Sequence, residues 1–345
     1  MIEHQYPPPL QPGDKIAVIS AGAGLPGVLP LPFDLGLERL RAFGLEPVEY
    51  PTTRVMGSDP RDRARDVNAA FADPDIKGVI ASIGGDDQIT VTGHLDAGVI
   101  AANPKRFFGY SDNTNLLDFV WRQGIVAFHG GSVMVEFGRP MAMHPVSESS
   151  LRAAMFSTGE FTLTEPETYN DVSRDWADPG TFELEPHSEA AEPWQWHHAD
   201  RVVEGVTWGG CLEILEMMLA AGRVDDGAFG DGGVLLVETS EEMPEAEHVY
   251  RMMRNIGERG LLARFDAVLH GRARAWSFEA PNDVEAKRVY QAEQAEAVLR
   301  AVGQYRPGAL VVSGVDFGHT DPQLVLPYGG RVRVDGPART ITATY

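Results

Sequence analysis

The sequence predicts an α/β protein, with a parallel sheet in its first half and a second domain of mixed α/β structure behind it. Three observations carry that expectation. Short β-branched runs alternate with helical spacings through the first half, the pattern of a parallel sheet covered on both faces. The chain has 345 residues, beyond the roughly 250–300 at which one core stops growing. Near residue 160 the alternation gives way to a stretch rich in Glu, Pro, Asp and Trp, after which strands and helices resume.

Taken in order, K-I-A-V-I-S (15–20) is a strand that stops at A-G-A-G. Phe33–Phe43 has apolar residues at 33, 37, 40 and 43 before Gly44, a helical spacing with a glycine stop. G-L-E-P-V-E-Y is a second strand, Arg61–Phe71 a helix, G-V-I-A-S-I (78–83) a third strand and R-F-F-G-Y (106–110) a fourth, with a helix over Asn115–Arg122. Residues 161–205 read as a linker carrying a long loop, and loops of that length are usually functional or disordered. Beyond it come a helix over 209–222, a strand over 233–238, a helix from Pro244 to Gly257, strands at 267–271 and 309–314, and a helix near 283–302 between them. The tail L-V-L-P-Y-G-G-R-V-R-V-D reads as an antiparallel hairpin. The expected division is therefore 1–160, 161–205 and 206–345.

Composition narrows the function. Fifty acidic against 29 basic residues give a net charge of −21, which repels phosphate backbones and argues against a nucleic acid polymer as partner. No run approaches the ~18 apolar residues of a membrane helix, so no membrane partner is expected. The opening M-I-E-H-Q-Y-P-P-P-L lacks the charged patch and apolar core of a secretory leader. One cysteine, Cys211, rules out an internal disulfide framework and fits a cytoplasmic location; it reads as a small buried residue.

Four segments can carry chemistry. In R-F-F-G-Y-S-D-N-T-N (106–115) an apolar strand runs into a helix start, so Ser111 sits on a sharp turn near free helix N–H groups. Either it is a nucleophile or it caps the helix; Asn113 stands where the usual hydrolase elbow has its second glycine. In A-S-I-G-G-D-D-Q (81–88) two glycines let backbone amides approach a ligand, or simply make a tight turn. In V-S-G-V-D-F-G-H-T-D-P (312–322) His319 lies in a glycine-rich loop after a strand, and imidazole suits proton transfer near neutral pH. His129, His197 and His198 compete with it. In G-V-L-L-V-E-T-S-E-E (233–242) Glu238 ends an apolar strand, an odd place for a carboxylate without a partner. Glu241 and Glu242 read as solvated turn residues.

Together, G-D-K-I-A-V-I-S, S-I-G-G-D-D, F-F-G-Y-S-D-N-T, G-G-C-L-E-I-L, L-L-V-E and G-x-D-F-G-H-T-D-P fall in the order of the LD-carboxypeptidase family, which the chain resembles over residues 12 to 335. The resemblance implies a serine peptidase with catalytic Ser111, Glu238 and His319 and an oxyanion hole from the amides of Gly85 and Asp112. It also implies a Rossmann- or flavodoxin-like parallel N-terminal domain, a mixed α/β C-terminal domain, an active site at their junction, and a homodimer. Neither metal nor cofactor is expected. The family divides by substrate. G-G-D-D resembles the microcin C immunity branch, which cuts the amide of aminoacyl-nucleotide conjugates, rather than the cell-wall branch, which releases D-alanine from murein tetrapeptides. Y-N-D-V-S-R-D-W (169–176) resembles a nucleotide-contacting insertion, making Trp176 a stacking residue and Asp86 a further substrate-binding residue. Packing of Trp176, Trp194 and Trp196 on the protein body is the alternative. The rival functions are a murein LD-carboxypeptidase and a non-catalytic nucleotide-binding module. The partner expected is thus a peptide-nucleotide or muropeptide small molecule.

Overall fold

The computed structural model describes residues 4–345; Met1–Glu3, which open the stretch read for a leader, lie outside the described residues. In chain order the strands are β1 (Lys15–Ile19), β2 (Glu46–Glu49), β3 (Ile76–Ala81), β4 (Arg106–Gly109), β5 (Ala127–His129), β6 (Glu160–Thr162), β7 (Thr168–Tyr169), β8 (Glu189–Ala190), β9 (Gln195–His197), β10 (Val202–Cys211), β11 (Gly233–Glu238), β12 (Phe265–Gly271), β13 (Leu310–Val315), β14 (Leu326–Tyr328), β15 (Arg331–Asp335) and β16 (Thr340–Thr344). The helices are α1 (Pro30–Ala42), α2 (Pro60–Ala72), α3 (Ile89–Thr92), α4 (Ala97–Ala102), α5 (Thr114–Arg122), α6 (Pro145–Phe156), α7 (Leu212–Ala220), α8 (Ala246–Glu258) and α9 (Val284–Tyr305).

Two sheets result. The first has the order β14-β5-β4-β3-β1-β2 and is parallel except for β14. The second runs β6-β16-β15-β10-β11-β12-β13-β9, with a parallel centre from β10 to β13 and antiparallel flanks. Helix starts follow local chemistry. α1 and α2 each have proline at the start, and Asp59 caps α2 by accepting from Arg61 N at 2.8 Å. The expected α/β architecture, parallel first and mixed second, is what the chain adopts.

Three expectations need correction. Residues 209–211 belong to β10, and the helix begins only at Leu212; Gly209 and Gly210 have φ of 134° and 122°, a backbone no helix contains. The 324–335 tail is not one hairpin. β14 pairs with β5 of the first sheet, while β15 pairs with β10 and β16 of the second. The long loop is also partly regular, since β9 forms the edge of the second sheet against β13.

Both apolar cores draw on both halves of the chain. Phe107, Leu116 and Trp121 pack in one cluster with Trp208, Leu215 and Met253. Phe33, Phe108 and Phe128 share the other with Leu236, Leu269 and Val312. Trp208, fully buried, also donates its indole N–H to Asp118 Oδ1 at 3.0 Å, satisfying two buried polar groups across the junction. Among the described residues no helix is long and apolar enough to cross a membrane.

Candidate active site

The turn at Ser111 is a strained one. Tyr110 is extended, Ser111 has φ 61°, and a single 3₁₀ turn over Ser111–Asn113 leads into α5. A non-glycine residue there costs ~1–3 kcal/mol and persists only where its surroundings hold it. They do so densely. Asn113 donates to Ile83 O and to Tyr110 O, both at 3.1 Å, and accepts from Gln88 Nε2 at 2.8 Å. Gln88, wholly buried, also accepts from Leu116 N at 3.1 Å and donates its own N–H to Asp112 Oδ2 at 2.9 Å. So the residue in place of an elbow glycine is a side-chain brace. The obligatory glycine is Gly109, where a Cβ would lie 2.9 Å from Asn113 Cβ.

The G-G-D-D segment presses against this turn. A Cβ on Gly84 would sit 3.0 Å from Ser111 Oγ, and one on Gly85 would sit 2.9 Å from Ala23 N. Both glycines of the segment read as points of close backbone approach, and Gly84, not Gly85, makes the tighter approach to the serine. Asp87 anchors the segment through a two-toothed pair with buried Arg63, both bonds 2.7 Å, and Arg63 also donates to Gly22 O at 2.7 Å. Asp86 is exposed and lines the cavity. Burial pushes the Asp112 carboxyl up to about 6.

On the opposite wall, Glu238 ends β11 fully buried, and its Oε2 lies 2.6 Å from His319 Nδ1. Two glycines make room for the carboxylate: a Cβ on Gly271 would lie 2.6 Å from Glu238 Cβ, and one on Gly318 would lie 2.8 Å from Oε2. Burial alone would depress the His319 pKa, but the charges of Glu238, Glu241 and Glu213 outweigh it and push it up to about 9. His319 Nε2 has no hydrogen bond; its nearest carboxylate is Glu241 Oε2 at 3.4 Å. Glu241 was expected to be only a solvated turn residue. Its side chain is 59% exposed, yet it faces the imidazole because the turn after β11 folds back over His319.

Ser111 and His319 line one cavity of about 660 Å³, which also holds Asp86, Glu241, Glu242 and Trp176. The sequence-predicted serine, histidine and both glycine-loop residues thus converge, while Ser111 Oγ is not hydrogen-bonded to Nε2 in this structure. Arg174 and Arg274 reach the same space. Arg174 donates to Leu184 O at 3.0 Å and also to Glu185 O, and Arg274 donates to Trp276 O at 3.1 Å and to Ser173 Oγ. Among the described residues neither makes a close ion pair with a carboxylate, although the charge of Arg274 helps lower the Glu241 pKa. A side chamber of about 130 Å³ extends past His319 toward Glu136 and Arg139. Glu136 is buried, pushed up to about 7 by that burial, and accepts from Tyr110 at 3.3 Å; the Tyr110 ring meets the His319 ring edge-on at 5.1 Å.

The segment bearing Arg174 and Trp176 is anchored at both ends by one lysine. Lys287, on α9, lies 2.6 Å from Asp171 and 2.7 Å from Glu189 and is 2% exposed. Asp171 also accepts from Ala275 N at 3.0 Å. Trp176 is half-buried against the second core. Trp194 is core, its indole N–H bonded to Asp316 at 2.8 Å, and Trp196 lies in β9. His197 is also in β9 and His198 follows it, away from the cavity. His129 is buried, its pKa lowered to about 3 by desolvation and by the neighbouring charge of His319, and its ring meets that of Tyr110 at 6.3 Å. Cys211 is buried, and its thiol donates to Glu213 at 3.2 Å. Among the described residues no group of three or more His, Cys, Asp or Glu is placed to hold a metal ion.

Fold and site together define a serine-type peptidase of two-part α/β architecture. The chain belongs to the LD-carboxypeptidase family: residues 16–130 match its N-terminal domain and residues 204–334 its C-terminal domain, together more than half of the sequence. The Microcin C7 self-immunity protein MccF of Escherichia coli is 26% identical over 97% of this chain and 94% of its own. A protein of Bacillus subtilis named "Probable murein peptide carboxypeptidase" is also 26% identical, over 97% and 92%. The solved structure of MccF in complex with aspartyl sulfamoyl adenosine superposes with a TM-score of 0.85 at 23% identity, covering 98% of both chains. The MccF-like protein from Streptococcus pneumoniae in complex with AMP gives 0.81 at 23% identity, over 95% of this chain and 98% of its own. At such identities the superpositions establish the fold.

Proposed function

We propose that this protein is a serine amidase that hydrolyses the amide of aminoacyl-nucleotide conjugates. The observation that carries the reading is the 2.6 Å pair between buried Glu238 and His319, set in the same cavity as a serine on a strained turn. In the reaction, neutral His319 takes the proton from Ser111 Oγ as that oxygen bonds to the amide carbon. Glu238 holds the Nδ1–H and stabilises the imidazolium. The amides of Asp112 and Gly85 receive the oxyanion. His319 then gives its proton to the leaving nitrogen as the C–N bond breaks, and the same group activates water to release the acyl product.

Three features favour a nucleotide in the leaving group. Trp176 offers an aromatic face, and stacking on a base is worth ~1–3 kcal/mol. Arg174 and Arg274 bring two guanidinium groups to the same cavity, neither held in a close ion pair although the charge of Arg274 acts on Glu241, and guanidinium suits a phosphate or sulfamoyl linker. MccF, solved with aspartyl sulfamoyl adenosine, shares the fold. Asp86 stands at the rim as a contact for the substrate. A cytoplasmic homodimer belongs to the same reading; sedimentation of the purified chain tests the dimer.

A second reading has its own support. Glu241, Glu242 and Asp86 make one wall acidic, which suits an ammonium group on the acyl side, as in a murein tetrapeptide with a diamino acid before D-alanine. Mass spectrometry of two incubations separates the readings, one with an aminoacyl sulfamoyl adenylate and one with a murein tetrapeptide, each with Ser111→Ala as control. Serine-dependent cleavage of the conjugate supports the first; D-alanine release alone replaces it with the second.

A further inference from the structure

Glu213 stands in the first turn of α7, where an acid ordinarily faces the free N–H groups of its own helix. It reaches sideways instead. Its Oε1 accepts from Ser240 N at 2.9 Å and from Ser240 Oγ at 2.8 Å, and its Oε2 accepts from the Cys211 thiol at 3.2 Å. The ladder sets this meeting. Cys211 and Glu238 are partners where the parallel strands β10 and β11 end, so the residues two beyond them, Glu213 and Ser240, come together outside the sheet.

Ser240 opens the turn that leads from β11 to α8. Its Oγ accepts from Glu242 N at 3.2 Å, and its carbonyl accepts from Met243 N at 3.3 Å. The exit of the turn is pinned by α9, where Tyr290 and Gln294 donate to Pro244 O at 2.9 and 2.7 Å. Glu241 lies between these anchors. His319 is its close ion-pair contact, with the charge of Arg274 acting from farther off. The direction of its side chain is therefore inherited from the backbone of the turn.

We propose that Glu213 is a positioning residue: by holding Ser240 it fixes the turn that presents Glu241 to His319. The inference rests on the amidase reading, in which His319 is the base.

A purely structural tie would not need the charge, since a neutral glutamine offers Ser240 the same Oε1 acceptor. The carboxylate adds negative charge to a wall that already holds Glu241 and Glu242. Glu242 is raised by burial and by the charges of Glu213, Glu241 and Asp86, and Tyr290 is raised by burial and by Glu213. The gain falls on His319. That ring is faced by Glu238 from β11, Glu241 from the turn, Glu213 from α7, Tyr110 after β4 and His129 from β5. Tyr110 and His129 are neutral, because burial holds the first well above its usual range and the second near 3. Glu213 thus acts on His319 twice, by its own charge and through the turn.

The test is a pH titration of the His319 ring by ¹³C NMR on the full-length protein with labelled histidine, the signal assigned by its loss in His319→Gln. Glu213→Gln keeps the acceptor for Ser240 and removes the charge; Glu213→Ala removes both. Each should lower the midpoint from about 9. Glu213→Ala should lower it by about half a pH unit further, as expected of a displaced neighbour that is partly screened by solvent. In a Glu241→Gln background the two variants should titrate together. The rising limb of kcat/KM should follow the same order. Coincident titrations with Glu241 present, or an equal gap without it, would overturn the proposal. Should Glu213→Ala fail to fold, Ser240→Ala takes its place, with Ser240→Thr expected to restore the wild-type midpoint. The titration needs no substrate. If the amidase reading fails, hydrolysis is absent while the order of midpoints stands; if the inference fails, the midpoints coincide and hydrolysis persists.

Discussion

His319 Nε2 lies 3.4 Å from Glu241 Oε2, on the cavity side of the ring and opposite the Nδ1 that Glu238 holds. The imidazole is thereby flanked by two carboxylates, and its pKa stands near 9. On the proposed mechanism a base with its pKa so raised rests largely protonated at neutral pH, and would accept the serine proton only after losing its own.

The first expectation concerns pH. With His319 as base, kcat/KM rises with pH and levels near 9, and Glu241→Gln moves the rising limb to lower pH because one of the raising charges is gone. Stability runs the other way. The folded pKa exceeds the unfolded value of about 6.5, so the charged contacts stabilise fully below that value and are lost as pH rises through about 9. Rate and melting profiles on both proteins check this; a limb unmoved in the variant would remove Glu241 from the argument.

Ser111→Ala should lower hydrolysis of whichever amide is cut by a factor on the order of 10⁴ or more. The circular dichroism spectrum should not change, since alanine keeps the Cβ and the turn is braced by Asn113 and Gln88. Residual activity near wild type would mean another nucleophile.

Gly318→Ala puts a methyl 2.8 Å from Glu238 Oε2. The carboxylate has to move from Nδ1, and a displacement near 1 Å costs on the order of 10²-fold in rate. The expected signature is a fall in kcat with KM little changed, measured by steady-state kinetics.

Trp176→Ala should raise KM for a nucleotide conjugate about 5- to 150-fold, the equivalent of the ~1–3 kcal/mol of stacking. The same change should leave cleavage of a substrate without a base almost untouched. Equal losses on both would reduce Trp176 to packing.

Lys287→Met leaves Asp171, fully buried, without its cation, a loss of roughly 3–5 kcal/mol. Lys287 is a positioning residue for the Arg174–Trp176 segment. Its replacement should raise KM for nucleotide conjugates more than it lowers kcat, and should make Trp176 fluorescence more accessible to acrylamide quenching.

Much of this was legible in the sequence where the signal is local. The alternation before residue 130, the turn after R-F-F-G-Y and the carboxylate ending G-V-L-L-V-E each express a short-range constraint. What the sequence hid depends on distant partners. Strand β14 looks like half a hairpin because Gly329-Gly330 is a turn; its pairing with β5 is set nearly 200 residues away. The end of β10 passed for helix because Leu212–Ala220 is strongly helical and blurs its own start. Gln88, following two aspartates, looks solvated, yet it is buried and braces both Asp112 and Asn113. Glu241 differs from Glu242 in nothing local; only the fold turns it toward His319.

The path of residues 326–344 bears on how the protein is made. Strand β14 completes the sheet that holds the serine, and Tyr345 closes on Gly159 through paired backbone bonds of 2.8 and 2.9 Å. A ribosome adding about 5–20 residues per second therefore releases the serine-bearing half roughly 10–40 s before its last strand exists. During that interval the edge of β5 is open to any passing strand. Nascent chains should engage chaperones until β14 has left the exit tunnel, and hydrolytic competence should arrive abruptly once β14 can pair with β5 instead of growing with chain length.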